Sequence, residues 1–169
     1  MHNRRIAVFA CLVLSGTFGL SQAGAQPASY PFTIEGKVVG VTDGDTIKVL
    51  RVKELFKIRL NGIDAPEKKQ AYGQKSKEFL SSLVFGKNVE VIVRDQDRYG
   101  RYVGDVMIEG RSANYALVAA GLAWWYAEYS KDQSLAALEK TAKAKRLGLW
   151  AEPSPIPPWE FRHRKAPKG

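Results

Sequence analysis

Carboxylates and arginines are concentrated in three short segments of this chain, and their types suit the hydrolysis of a phosphodiester. The segments are DGDT at 43–46, RLNGIDAPE at 59–67 and DRYGR at 97–101. Such hydrolysis needs an activated water and positive charge near the phosphoryl oxygens, which a general base, a metal ion and guanidinium groups can supply. The chain has only two histidines, His2 and His163, so carboxylates would have to take the roles that histidine often fills.

The acidic residues of the first two segments could hold a hard cation. The candidates are Asp43, Asp45, Asp64 and Glu67. No cysteine or histidine accompanies them, and donors that are all oxygen favour Ca²⁺ or Mg²⁺ over zinc. Asp45 precedes a predicted strand and Asp64 follows one, so both can reach one ion if the strands are neighbours. Two simpler interpretations stay open, because 43–45 is also typical of a turn and Asp64 could bond its own backbone.

The arginines and Glu67 could complete such a site. Arg59 lies on the strand just before Asp64 and Glu67, where it could fork onto a phosphate or form a salt bridge. Arg101 opens a later strand and is either a second phosphate clamp or a solvated residue at a strand edge. Glu67 is the candidate general base for a water, with an ordinary exposed loop glutamate as the alternative.

Alternating apolar residues predict strands, and apolar residues at helical spacing predict helices. The predicted strands cover 34–41, 46–50, 56–61, 89–93 and 102–108, and the predicted helices cover 72–83, 112–120 and a last segment after Ser130. Ser130 and Gln133 predict a capping box at the start of that last helix. The predicted fold class is α+β, mainly β: a five-stranded OB-fold Greek-key barrel capped by three helices.

The first 25 residues predict a secretory signal peptide. Arg4 and Arg5 precede an apolar run at 6–20, and small residues at 23–25 supply a cleavage site. The protein is therefore expected to be exported, either secreted or periplasmic, with no membrane attachment after cleavage.

The chain is basic, with a formal net charge of +9. Cleavage would remove two arginines, no acid and the only cysteine, Cys11, which leaves +7 and no thiol. This charge suits polyanions such as nucleic acid, acidic glycans or anionic lipid headgroups, although a basic surface kept for solubility would look the same. The folded domain is predicted over 33–151, followed by a Pro-rich basic tail over 152–169. The tail could attract a nucleic-acid backbone or simply be solvated.

Several separated segments resemble the thermonuclease family, whose type member is staphylococcal nuclease. They are VTDGDT at 41–46, IRLNGIDAPE at 58–67, DRYGR at 97–101, NYALV at 114–118 and GLA at 121–123, in the family's order. Separated segments in order are more specific than any single motif. The resemblance implies an OB-fold nuclease that depends on Ca²⁺, cuts DNA and RNA and leaves 3′-phosphates.

The resemblance also implies a role for each matching residue. Asp45 and Asp64 match the Ca²⁺ carboxylates, and Ala65 matches a position that offers the ion its backbone carbonyl. Arg59 and Arg101 match the catalytic, phosphate-binding arginines, and Glu67 matches the general base. Asp43 matches an acid near the ion, and Tyr99 matches a tyrosine that touches the nucleotide. A monomer that prefers single-stranded substrate is expected, with a non-catalytic OB-fold module that binds nucleic acid as the alternative.

Two departures from the family pattern concern the substrate. The stretch between Glu67 and Tyr72 is much shorter than the type member's mobile loop. The family's second nucleotide-contacting tyrosine falls on Ala127 by ungapped counting, with Tyr126 and Tyr129 close by. Trp124, Trp125 and Tyr126 could stack on bases, but packing beneath the last helix is the favoured interpretation.

Overall fold

The computed structural model describes residues 29–165, in which five long strands close a barrel. The strands are β1 Phe32–Val41, β2 Thr46–Arg51, β3 Glu54–Leu60, β4 Ile63–Asp64, β5 Asn88–Gln96, β6 Tyr102–Ile108, β7 Arg111–Ser112 and β8 Trp124–Trp125. The long strands follow the order β3-β2-β1-β5-β6 through antiparallel pairs, and a parallel pairing of β3 with β6 closes the barrel. The predicted OB-type barrel is therefore confirmed.

Alternation along the strands builds the barrel interior, because successive side chains of a strand point to opposite faces. In β3, Phe56, Ile58 and Leu60 are buried, whereas Lys57 is exposed. The strands follow the sequence prediction closely. The one clear extension is β5, which continues to Gln96 beyond a register shift between Val93 and Asp95.

Four helices surround the barrel in the described range, one more than the sequence predicts. They are α1 Gly73–Val84, α2 Ala113–Ala119, α3 Gln133–Ala144 and α4 Pro158–Lys165, and a 3-10 turn covers Gly148–Ala151. Apolar side chains of α1, α2 and α3, such as Leu80, Leu117 and Leu135, join the barrel core. The additional helix, α4, lies within the segment that the sequence predicts as a tail, and it begins with a proline, which is favourable at a first helical position.

The predicted capping box is wrong, although the helix itself is present. The N-cap of α3 is Asp132, whose side chain accepts a hydrogen bond from the Ser134 N–H. Ser130 instead accepts a hydrogen bond from the Asp132 N–H and forms a local turn ahead of the helix. Aspartate and serine both cap helices well, so residue type alone does not decide between them.

The predicted signal peptide at 1–25, with Cys11, lies outside the described residues. Between residues 29 and 165, no helix combines the length and the apolar character that crossing a membrane requires.

Candidate active site

A cleft of about 800 Å³ gathers all three segments that the sequence singles out. Every predicted site residue lines it: Asp43, Asp45, Arg59, Asp64, Ala65, Glu67, Tyr99 and Arg101. Residues that are up to 58 positions apart in the chain therefore share one surface. Their roles stay predictions, but their convergence is a structural fact.

Strand pairing fixes the floor of the cleft. Thr46 and Arg59 are partners in the β2–β3 ladder, so Asp45, one residue earlier, lies beside Arg59. Asp64 is held in β4, which pairs with β8. The Ala65 N–H donates to Asp45 Oδ2 at 2.9 Å and ties the two acidic segments together.

Gly44 allows the β1–β2 turn to approach α1 closely. A Cβ at this position would lie 2.2 Å from the Ser76 Oγ and 2.7 Å from the Ala65 Cβ. The Ser76 hydroxyl cannot easily move, because it is buried and donates to the Leu122 carbonyl at 2.7 Å. A residue without a side chain is therefore required between the two aspartates.

Arg59 bridges the two proposed metal carboxylates. Its guanidinium pairs with Asp45 Oδ1 and donates to Asp64 Oδ1 at 2.8 Å. The exposed side-chain fractions are 17% for Arg59, 5% for Asp45 and 1% for Asp64. Burial acts to lower the pKa of Arg59, but the charges of Asp45 and Asp64 outweigh it and raise that pKa above its ordinary value. Of the two interpretations of Arg59, the salt bridge describes this state of the molecule.

Burial raises the pKa of two acids of the cleft, Asp43 and Asp64. Burial and the charge of Asp45 raise the pKa of Asp43 to about 6. Burial also raises the pKa of Asp64, hydrogen bonds from Arg162 oppose that rise, and the charge of Asp45 adds to it. Both shifts describe a pocket that favours additional positive charge.

Arg101 belongs to the third segment, 97–101, where a tight turn holds it at the cleft. Its Nε donates to Asp97 Oδ2 at 2.7 Å, and its Nη1 lies 3.4 Å from the Thr46 hydroxyl. Partial burial would raise the pKa of Asp97, but hydrogen bonds from Arg101 and from the Tyr99 N–H lower it below its usual range. Gly100 has a φ of 76°, which glycine adopts without strain, and this conformation turns the chain back toward the cleft.

Tyr99 and two further tyrosines give the cleft aromatic walls. Tyr99 is 69% exposed, and the Arg98 and Arg101 guanidinium groups lie 5.0 and 5.7 Å from its ring centre. Tyr126 and Tyr129, which flank position 127, both line the cleft. Trp124 packs edge-on against Trp150 with ring centres 4.3 Å apart, as the packing interpretation expects. Within the aromatic run 124–126, Trp124 therefore packs against another ring, whereas Tyr126 lines the cleft.

Sequence reasoning missed one functional-site residue, Arg162. Its guanidinium donates to Asp64 and, at 2.9 Å, to Glu67 Oε1. The basic tail is visible in the sequence, but no spacing pattern links residues that are 98 positions apart. The short loop after Glu67 is closed by its own turns, and its Gln70 side chain donates to the Ile156 carbonyl at 2.6 Å.

The donor set suits a hard cation that keeps part of its water shell. In the part of the chain that the structure describes, no group of three or more acidic, imidazole or thiol side chains is arranged as a metal cage. Two carboxylates, those of Asp45 and Asp64, nevertheless lie close enough together for the two terminal nitrogens of one guanidinium to contact both. Oxygen ligands of this kind, completed by water and a carbonyl, fit Ca²⁺ or Mg²⁺.

The fold and the cleft together define an OB-fold protein with an acid-and-arginine site suited to a phosphodiester. A sequence model described as "Staphylococcal nuclease homologue" matches residues 57–152. This chain belongs to the staphylococcal nuclease family, as the resemblance of its segments predicts.

Relatives in enteric bacteria cover most of the chain. It is 47% identical over 133 residues to an "Uncharacterized endonuclease" of Escherichia coli O157:H7, covering 78% of this chain and 87% of that protein. It is 40% identical over 140 residues to "Protein ParB" of Escherichia coli, covering 76% and 79%. It is 38% identical over 138 residues to a "Micrococcal nuclease" of Shigella flexneri, covering 75% and 79%.

Proposed function

We propose that the protein is an exported, Ca²⁺-dependent endonuclease that hydrolyses DNA and RNA with little sequence preference and leaves 3′-phosphates. The family, together with relatives named endonuclease and micrococcal nuclease, supports an enzyme of the nuclease class that acts on nucleic acid. The observation that carries the proposal is the convergence of Asp45, Asp64, Arg59, Glu67 and Arg101 on one cleft.

Each group has a place in the proposed reaction. Asp45, Asp64 and the Ala65 carbonyl would hold Ca²⁺, which supplies positive charge to the phosphoryl oxygens. Glu67 accepts a proton from a water as the water oxygen bonds to phosphorus. The bond from phosphorus to the 5′-oxygen breaks, that oxygen takes up a proton, and the phosphate stays on the 3′-oxygen. Guanidinium groups stabilise the charge that develops on phosphorus-bound oxygens.

The cleft also adjoins a further groove that could extend the contact with a nucleic-acid strand. A second groove of about 490 Å³ shares Asn61, Arg94 and Tyr129 with it. Tyr99, Tyr126 and Tyr129 offer ring faces, and stacking on rings tolerates any base, which supports low sequence preference. The protein is proposed to act as a monomer, because every proposed catalytic group comes from one chain. The predicted leader at 1–25 supports export.

Replacing Glu67 tests the proposed base. The Glu67→Gln variant should cut single-stranded DNA about 10²- to 10⁴-fold more slowly, because a carboxamide cannot accept the proton of the water. Its affinity for a nucleotide should change little. Glu78→Gln is the matched control, because Glu78 is an exposed helical residue that accepts a hydrogen bond from Gln74 and lies outside the cleft. The measurements are single-turnover cleavage with Ca²⁺ or with chelator, end-group analysis of the products and nucleotide binding.

Three results would contradict parts of this proposal. Turnover of Glu67→Gln at the rate of the wild-type protein would remove Glu67 from the mechanism. Cutting in excess chelator would remove the metal. DNA binding by the wild-type protein without cutting in Ca²⁺ would favour the non-catalytic module instead.

A further inference from the structure

The helix α4 places the guanidinium of Arg162 inside the candidate active site. Arg162 Nη2 donates to Asp64 Oδ2 at 2.8 Å, and its Nη1 lies 3.2 Å from Asp64 Oδ1 and 2.9 Å from Glu67 Oε1. One side chain therefore joins a proposed metal ligand to the proposed base.

These contacts and the one from Arg59 involve both carboxylate oxygens of Asp64, which are the atoms that would bind a cation. Asp64 Oδ1 already accepts from Arg59 at 2.8 Å, and Arg162 contacts both oxygens. The Asp64 side chain is only 1% exposed, so little of its surface is open to a metal ion while both guanidinium groups are in place. A cation that binds Asp64 must take the place of at least one guanidinium group.

Of the two guanidinium groups, that of Arg162 is the easier one to displace. Arg59 belongs to β3, one of the strands that form the closed barrel, and its side chain is 17% exposed. Arg162 belongs to the last described helix, and its side chain is 43% exposed. Arg162 can leave with the last described helix, whereas the backbone that carries Arg59 is paired on both sides, with β2 and with β6.

The position of Arg162 is nevertheless built into the fold. Trp159 stacks on Tyr126 with ring centres 5.2 Å apart and planes 3° from parallel, and it meets Trp124 edge-on at 5.6 Å. The Gln70 side chain holds the Ile156 carbonyl just before α4. These contacts, made by rings and by a loop of the domain, direct α4 across the cleft.

We propose that Arg162 is a built-in competitor of the metal, so that α4 closes the cleft in the absence of Ca²⁺ and is released when Ca²⁺ binds. This inference rests on the Ca²⁺ site of the proposed function. In the closed state Arg162 pairs with Asp64 and occupies one of the two Glu67 oxygens, Oε1, which is then not free to accept a proton from a water. Because the coupling is reciprocal, Arg162 weakens Ca²⁺ binding by the same factor by which Ca²⁺ weakens the contact of α4.

The test measures Ca²⁺ affinity by calorimetry on the wild-type protein and three variants. Arg162→Ala should bind Ca²⁺ about tenfold more tightly, because the competing state is removed. The Ca²⁺ affinity of Arg162→Lys should lie between those of the wild-type protein and Arg162→Ala, because an ammonium keeps the charge but cannot contact two carboxylates with the forked geometry of a guanidinium. Arg164→Ala is the matched control, because Arg164 is on the same helix with the same charge and, among the described residues, forms its ion pair with Glu160, at 3.7 Å. It should stay within about twofold of the wild-type affinity, as expected for an exposed charge.

A second measurement follows α4 itself. Ca²⁺ should increase tryptic cleavage within α4 of the wild-type protein, because the helix leaves the cleft. Asp45→Asn is the control for direct effects of Ca²⁺ on trypsin, because it removes a proposed ligand and leaves Arg162 on Asp64 and Glu67. Its cleavage should not respond to Ca²⁺.

The possible failures are distinguishable. Equal Ca²⁺ affinity in the wild-type, Arg162→Ala and Arg164→Ala proteins would overturn the competition. Weaker binding in Arg162→Ala than in Arg164→Ala would also overturn it, since Arg162 would then support the ligands. An absence of Ca²⁺ binding in all four proteins would instead overturn the metal site of the proposed function and this inference with it.

Discussion

At the scale of single residues, the cleft is a balance between buried acids and guanidinium groups. Asp45 and Asp64 are nearly inaccessible, and Arg59 compensates both. Arg101 is different, because its partner Asp97 belongs to its own turn and is partly exposed. The two arginines that the family resemblance treats alike therefore differ in what they contribute to stability.

This difference predicts unequal costs for removing them. Arg59→Ala should lower the free energy of unfolding by about 3–5 kcal/mol in chelator, because buried Asp45 loses its ion pair and Asp64 keeps only that with Arg162. Arg101→Ala should lower it by only about 1 kcal/mol, because the pair with Asp97 is partly solvated. Both should slow cleavage by about 10²- to 10³-fold under conditions where they are folded. Urea unfolding with chelator and with Ca²⁺, together with cleavage rates, checks this.

Calcium provides the internal control for that prediction. A cation between Asp45 and Asp64 replaces the lost positive charge, so Ca²⁺ should recover part of the stability of Arg59→Ala but none of that of Arg101→Ala. Equal destabilisation of the two variants in chelator would show that Arg59 does not compensate the acids.

At the scale of elements, the sequence predicts the strands and helices that are long enough to show a periodic pattern of apolar residues. The five long strands and α1 and α2 follow from alternation or helical spacing, because each buries one face in the barrel. The strands β4, β7 and β8 have two residues each, too few to show any period. The helix α4 packs on the domain through Trp159, which stacks on Tyr126. Because the position of Tyr126 depends on the fold of the whole barrel, the sequence around α4 does not predict this contact.

The candidate site divides in the same way. Residue types and family order predicted which side chains line the cleft, from Asp43 to Arg101. They could not predict that Arg59 binds both acids, nor that Arg162 reaches Asp64, because those contacts depend on tertiary distances. The N-cap at Asp132 was missed because Ser130 has an equally good capping side chain.

The close approach of the β1–β2 turn to α1 predicts an effect for Gly44. Gly44→Ala should destabilise the protein by about 1–3 kcal/mol, since the new methyl group would overlap the Ser76 hydroxyl and the Ala65 Cβ. It should also slow cleavage, because the turn carries Asp43 and Asp45. Thermal unfolding and cleavage assays measure both effects.

Gly40→Ala is the matched control in the same hairpin. A Cβ there would lie 3.4 Å from the flexible Lys48 side chain, so its cost should stay below about 1 kcal/mol. If the two variants unfold alike, the turn is not constrained by its packing on α1.

At the scale of the whole molecule, a basic protein carries an acidic site. The net charge of +9 over the full sequence favours the approach of a polyanion. The acids are recessed in the cleft, where the local charge can be balanced by arginine or by a cation. Long-range attraction and local catalysis are thus served by different residues.

The recessed position of Arg59 and Asp64, two of the proposed site residues, predicts a preference for single strands. Arg59 and Asp64 are 17% and 1% exposed, so a scissile linkage must enter the cleft to reach them. A flexible strand can enter directly, whereas a duplex must first open locally at a cost of a few kcal/mol. A single-stranded DNA oligonucleotide should therefore be cut about ten- to a hundredfold faster than the same strand annealed to its complement. A duplex with an internal unpaired stretch serves as the control, and its cuts should concentrate in that stretch. Equal rates on the single strand and on a blunt duplex far below its melting temperature would contradict entry of one strand, and would require that the linkage be cut on the duplex surface.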